Sequence, residues 1–303
     1  MNEVVPAALD GERVDRLVAM LCSVSRAAAA TLIQGGAVLL DGEVVLGGKQ
    51  RVRAGQTLIV TDEVTSAPAV AAPDPTVEVP VVHADESVIV VDKPAGLVVH
   101  PGAGHLTGTM VNGLLARFPD IAGVGPDPER PGIVHRLDAG TSGLVVVART
   151  DAAYASLVRQ LAARTARREY LALVWGEPDA TRGVVDAPIG RSARDPTRMA
   201  VVASGRPART AYEVERTWPV PGVALVRCRL ETGRTHQIRV HLAAIGHPIV
   251  GDGRYGGVRA GLDVARLMLH APHLAFTHPR TGQRVAFDSA VPPDMAGVLS
   301  RLR

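Results

Sequence analysis

The stretch GIVHRLDAGTSGLVVVART, residues 132–150, decides how this chain is read. A carboxylate, Asp138, stands between a short apolar run and a Gly-Thr-Ser-Gly turn, and the turn feeds directly into an unbroken apolar segment, residues 143–148. Such a segment, bounded by turn residues, predicts a strand covered on both faces. His135 and Arg136 precede the carboxylate and could favour its charged form. An Asx-turn aspartate closing a hairpin is the competing reading. The density of His, Arg, Thr and Ser beside predicted buried strands lowers the weight of that reading and leaves a site as the other.

Working outward, the runs SVIVVD (87–92), EYLALVWG (169–176) and ALVRCRL (224–230) alternate with Gly- and Pro-rich loops and a few helices. Their spacing is too irregular for repeated βαβ units. The expected class from about residue 81 to the end is therefore α+β, with a mixed, mainly antiparallel sheet flanked by helices. Neither GxGxxG nor GxxxxGK[ST] opens a helix, which disfavours nucleotide-cofactor and P-loop enzymes.

Residues 1–63 form a separate unit by the same criteria. Val14, Leu17, Val18 and Leu21 repeat at helical spacing, Ser25 can cap a second helix that Gly35 and Gly36 stop, and Asp41-Gly42 between two apolar triplets signals a hairpin. Residues 64–80, VTSAPAVAAPDPTVEVP, hold four prolines and no apolar period, and read as an extended linker.

Three further stretches could carry chemistry. In RLETGRTHQIRVHLAAIGHPIVGDGRYGG (229–257) a helix is expected with Ile238, Leu242 and Ile245 on one face and Gly246 as its stop. Arg234, His236, Arg239 and His241 surround its first turns, where backbone N–H groups favour anions. An ordinary charged surface helix is the alternative. In VVDKPAGLVVHPGAGHLTGTMVNGLL (90–115), one of only two lysines, Lys93, precedes a Gly-rich loop with His100 and His105. In RTARREYLALVWG (164–176), Arg164, Arg167 and Arg168 precede a strand containing Tyr170. The histidines of LHAPHLAFTHP (269–279) have no Cys or carboxylate at ligand spacing and read as strand and loop residues; no metal is expected.

Composition narrows the partners. The net charge is only +3, but residues 1–148 carry 10 Lys/Arg against 17 Asp/Glu and residues 149–303 carry 23 against 13. That asymmetry predicts a polyanion-facing surface built mainly from the second half. Nine aromatic residues are too few for rows of stacking rings. No window approaches eighteen apolar residues, the opening MNEVVPAALDGERVD lacks a basic-then-apolar leader, and two distant cysteines make no disulfide framework, so no membrane contact and a cytoplasmic location are expected.

The blocks HRLDAGTSGLVVVA, KPAGLVVHPGAG, RREYLAL, ETGRTHQIRVHLAAIGHPIVGDGRYGG and LHAPHL resemble, in order, those of RNA pseudouridine synthases of the RluA/RluD type, over about residues 80–298. RVDRLVAML, SRAAAATLIQGGAVLLDG and VRAGQTLIV are similar to the S-four-type RNA-binding domain often fused before them. The resemblance implies a pseudouridine synthase catalytic domain over 81–303. It further implies isomerisation of uridine in large-subunit ribosomal RNA by base flipping, without a cofactor and by a monomer. By motif, Asp138 matches the catalytic aspartate, Tyr170 the tyrosine packed on the target base, Arg239 the aspartate's basic partner, and Arg136 the arginine that fills the helix gap or holds the flipped nucleotide. His135, Thr141, Lys93, His100, Arg234, His236, Arg167 and Arg168 are the further substrate-binding candidates, and Arg16, Ser25 and Arg26 those of the RNA-binding module. Ala139 stands where a Lys is common, and Asp41 where the module usually has Asn. A non-catalytic RNA-binding assembly factor is the alternative function.

Overall fold

The computed structural model describes every residue except 23, 25, 62–70, 103, 104, 106 and 196. The chain divides into two compact units, Met1–Val70 and Ala71–Arg303.

The first unit has a strand β1 (Asn2–Val4), helices α1 (Val14–Leu21) and α2 (Arg26–Gln34), and strands β2 (Val38–Leu40), β3 (Glu43–Val44) and β4 (Thr57–Val60). The sheet runs β1-β4-β2-β3. Val14, Leu17 and Val18 bury one stripe of α1 against Ile33, Leu58 and Val60, as their spacing requires. The β2–β3 turn is left-handed at both residues, with φ 52° at Asp41 and 86° at Gly42. Asp41 tolerates this because its carboxylate accepts the Thr57 N–H (2.7 Å) and a Gln56 side-chain N–H (2.8 Å). Strand β1 has no sequence signal of its own and forms by pairing with β4.

The second unit contains β5 (Val81–Ala84), β6 (Val88–Lys93), α3 (Met110–Arg117), β7 (Ser142–Ala148), α4 (Asp151–Ala162), β8 (Arg167–Trp175) and β9 (Arg182–Asp186). It continues with β10 (Ile189–Arg191), β11 (Met199–Val201), β12 (Arg209–Trp218), β13 (Val223–Leu230), α5 (Gln237–Ala244), β14 (Leu269–Thr277), β15 (Arg284–Asp288) and α6 (Pro293–Arg301). The large sheet has the order β5-β6-β7-β14-β8-β13-β12-β9, with β15 beside β14, and β10 pairs β11 separately. Only β7 and β14 run parallel; the other pairs are antiparallel. The expected mixed, mainly antiparallel α+β class is what forms.

Period-two alternation sorts the side chains of the sheet. Val145, Val147, Tyr170, Ala172, Val226 and Cys228 face one way, toward Met110 and Leu114 of α3 and Ile238 and Leu242 of α5. Leu144 and Val146 face the other way onto Ala153 and Leu157 of α4, and Leu171 and Leu173 onto Met295 and Val298 of α6. All seven residues of β7 are buried, which is why residues 143–148 carry no polar alternation.

Two expectations change here. Ile245 is not on the buried face of α5; the helix ends at Ala244, and Ile245 is 36% exposed. Residues 71–80, read as linker, lie against the second unit instead: Ala72 accepts the Asn112 side-chain N–H (2.7 Å) and the Asp74 N–H donates to Asn112 (2.9 Å). The approach is so close that a Cβ on Gly113 would lie 2.5 Å from the Val77 carbonyl oxygen. No period marks these residues because backbone hydrogen bonds and isolated apolar contacts, Ala71 and Val79 on the core, hold them rather than a repeating stripe.

Candidate active site

Asp138 lies in the loop before β7, whose carbonyls are held by two cations, Lys93 and Arg266. The Thr141 N–H donates to the Asp138 carbonyl (3.0 Å), closing a turn. The Lys93 ammonium donates to the carbonyls of Pro94 (2.9 Å), Leu97 (2.8 Å) and Ala139 (3.1 Å). One Arg266 nitrogen donates to the carbonyls of Gly140, Leu267 and Leu269, while its fork engages Asp294 of α6. Two charges held by carbonyls thus tie the aspartate's loop to the 94–97 turn, to β14 and to α6. Burial pulls the Lys93 pKa down to about 7, with Asp138 acting to raise it. Its three carbonyl acceptors match the three N–H bonds of an ammonium, which favours the charged form.

Helix α5 delivers the partner. Arg239, in its first turn, forks onto Asp252 through Nε (2.7 Å) and Nη2 (2.9 Å) and extends Nη1 to Asp138 Oδ2 (2.9 Å). Its guanidinium also lies over the Tyr255 ring, 5.0 Å from the centroid. Burial opposes this charge, but Asp252 and Asp138 outweigh it and raise the Arg239 pKa further. The residue before the helix, His236, adopts a left-handed φ of 57°, a strained geometry that persists only where its surroundings impose it. The Tyr255 hydroxyl accepts the Met199 N–H (3.2 Å) and shares a hydrogen bond with His236 Nδ1 (2.8 Å). The other ring nitrogen, Nε2, lies 4.0 Å from Asp138 Oδ2. Burial keeps His236 toward its neutral form.

Asp138 and Tyr170 open onto a cleft of about 600 Å³, a size typical of ligand sites. Its walls include Arg130, Arg136, Arg164, Arg168 and Arg234, with Ile133, Val134, Leu161 and Leu230 between them. Tyr170 is buried on β8, and that burial raises its phenol pKa. A basic cleft with apolar walls, a part-buried carboxylate at its base and one ring face suits a flat base attached to a charged backbone.

The chain matches the RNA pseudouridylate synthase family over residues 87–244 and the S4 domain over residues 12–58. A Chloroflexus aurantiacus protein named as an uncharacterized RNA pseudouridine synthase is 48% identical over 307 residues, spanning 99% of this chain and 93% of its own. The chain belongs to the RNA pseudouridylate synthase family. A ribosomal large subunit pseudouridine synthase D of Pseudomonas aeruginosa is 43% identical over 99% of this chain and 94% of its own. The solved human RNA pseudouridylate synthase domain containing 1 superposes with a TM-score of 0.58 at 30% identity, covering 74% of this chain and 88% of its own. The enzyme is thus an isomerase that binds RNA.

In this synthase Asp138, Tyr170, Arg239, Arg234, His236, Thr141, Arg136, His135, His100 and Arg168 all line the cleft or the small recess behind it. Their bonding partners divide them. His135 and Arg136 share the cleft with the carboxylate but bond elsewhere: His135 Nε2 accepts the Val146 N–H (3.1 Å) and Arg136 donates to His100 (3.1 Å). Burial lowers the His135 pKa to about 3, so its ring is neutral and lends Asp138 no charge. Burial likewise lowers that of His100. Lys93 is wholly buried and binds carbonyls rather than substrate. Alternation on β8 sends Arg168 and Tyr170 into the cleft, whereas Arg167 pairs with Glu169 (2.8 Å) on the other face. His241 is buried between Thr210 (2.9 Å) and the Ala187 carbonyl (2.9 Å), away from the anion-binding position expected for it.

In the S4 unit Arg16 pairs with Glu12 and Arg26 reaches buried Asp15 (3.1 Å) while staying half exposed; Ser25 lies outside the described residues. Asp252, Tyr255 and Arg266 were not legible as site residues. The signal available was one carboxylate and one aromatic ring within GDGRYGG, and nothing local says that they fold back under Arg239. Among the described residues no three His, Cys, Asp or Glu side chains are grouped to hold a metal ion, and no helix is long and apolar enough to cross a membrane.

Proposed function

We propose that this enzyme converts specific uridines of large-subunit ribosomal RNA to pseudouridine, in the cytoplasm, as a monomer, on free RNA or a pre-ribosomal particle. The observation that carries the reading is the Asp138–Arg239 contact of 2.9 Å at the base of an arginine-lined cleft beside Tyr170. The names of relatives such as the Pseudomonas aeruginosa protein support the substrate.

The chemistry is an isomerisation. The C1′–N1 bond breaks, the uracil turns, a C1′–C5 bond forms, the proton on C5 leaves and N1 gains one. Reaching C1′ requires extracting the nucleotide from its stack, at a cost of a few kcal/mol. In this scheme Asp138 acts at the sugar, Arg239 orients it, Tyr170 offers its face to the uracil and Arg136 occupies the space the base leaves. The cleft and rim arginines grip phosphates. The unit carrying Arg16 and Arg26 adds affinity from a second point on the RNA.

Incubation of the purified enzyme with unmodified large-subunit ribosomal RNA, followed by carbodiimide primer extension, is expected to reveal pseudouridine stops. Asp138→Asn is expected to abolish them while retaining RNA binding. Full activity of that variant removes Asp138 from the mechanism.

A further inference from the structure

The arginines of the cleft are not equivalent. Arg130 engages Asp127 (3.3 Å), Arg136 donates to His100 (3.1 Å), Arg164 to Glu231 (2.8 Å) and Arg234 to the Pro207 carbonyl (3.0 Å). Arg168 differs. It is only 9% exposed, its Nε is buried without a partner, and among the described residues its side chain makes no hydrogen bond or ion pair. A guanidinium carries five N–H donors and a permanent charge, so burying its Nε and most of its side chain with no acceptor on the protein is unfavourable unless a ligand completes it.

Its surroundings describe that ligand. Arg168 is two residues from Tyr170 on the same face of β8, a separation of about 6.7 Å along a strand. That is comparable with the reach from a nucleotide's sugar to its own phosphate. Gly233, in the same cleft wall, approaches the guanidinium closely, as only a residue without a side chain can: a Cβ there would lie 3.1 Å from Arg168 Nη1. A full positive charge calls for a full negative one. Uracil is neutral, whereas a phosphodiester offers two oxygens to the guanidinium fork.

We propose that Arg168 seats a phosphate flanking the extracted uridine, the acceptor missing from the protein, and so fixes the nucleotide between Tyr170 and Asp138. This rests on the reading of the cleft as the uridine site. The guanidinium is held at the cleft wall with no protein partner to give up and with its Nε already out of water, so it acts as a gauge of distance from the sugar to the backbone. It therefore favours an extracted nucleotide over one stacked in a helix.

The test uses the full chain and a transcript spanning the uridine at which pseudouridine forms, ligated with one neutral methylphosphonate on the 5′ or the 3′ side of that uridine. Turnover of the unmodified transcript reports on the functional reading, and RNA affinity reports on Arg168. Wild-type enzyme is expected to lose at least tenfold in affinity at one of the two positions. Arg168→Gln is expected to lose a similar factor on unmodified RNA and nothing further at that position. Its salt dependence should be shallower by about 0.7 in log Kd against log salt, and Arg168→Lys should recover part of the loss. Indifference of wild-type enzyme to both methylphosphonates, an arm that needs no variant, overturns the proposal. So does an undiminished methylphosphonate effect in a folded Arg168→Gln.

Discussion

Arg239 holds Asp138 with one nitrogen and Asp252 with the other two, so the fork that meets the reacting carboxylate is itself locked by a second, fully buried carboxylate. A long side chain that would otherwise sample many rotamers is reduced to one.

Asp252→Asn removes that lock while leaving Asp138 and Arg239 in place. A misplacement of about 1 Å at a reacting group costs on the order of a hundredfold. We expect kcat to fall by roughly ten- to a hundredfold with RNA affinity unchanged, measured by single-turnover kinetics beside filter binding. Unaltered kcat would show that Tyr255 and the packing of α5 suffice to hold Arg239.

Lys93→Met should destabilise the second unit rather than weaken RNA binding, because the ammonium reaches three carbonyls and no solvent. Buried acceptors left unsatisfied cost about 1–3 kcal/mol each before relaxation. A net loss of about 3 kcal/mol is expected in urea unfolding. A loss in RNA affinity at unchanged stability would return Lys93 to the substrate surface.

His135 supplies a pH dependence whose sign follows from its neutral burial. Its pKa is about 3 in the folded protein and near 6.5 in an unfolded chain. Between those values the unfolded chain holds the extra proton, so stability falls as pH falls from 6.5 toward 3 and is fully recovered above 6.5. From pH 7 to pH 5 this group is expected to remove about 2 kcal/mol. In His135→Gln the difference between unfolding free energies at the two pH values should shrink by that order, and an unchanged difference would refute the assignment.

Gly143 sits at the parallel contact of β7 with β14, at φ 114°, where a Cβ would lie 2.3 Å from the Ala271 carbonyl oxygen. Gly143→Ala therefore combines backbone strain with overpacking, and a loss of about 3 kcal/mol or failure to fold is expected. Thermal unfolding measures it, and a melting temperature within a degree or two of wild type would contradict the close approach.

What local order could decide, residues 132–150 and the similar blocks decided alone. An apolar run without alternation means a strand covered on both faces, and β7 is one; Val14, Leu17 and Val18 mean an amphipathic helix, and α1 is one. The grouping of Asp138, Tyr170 and Arg239 was legible only through the resemblance of their blocks to those of the family. Which neighbours face the carboxylate was not. His135 and Arg136 adjoin it in sequence yet bond elsewhere, while Arg239, 101 residues away, touches it. Side-chain direction in a loop depends on which buried donors and acceptors remain to be satisfied, and these come from distant strands and helices. For the same reason one lysine, expected at the substrate, became an internal brace, and Arg168 stood out among equals only when every other arginine of the cleft had found its acceptor.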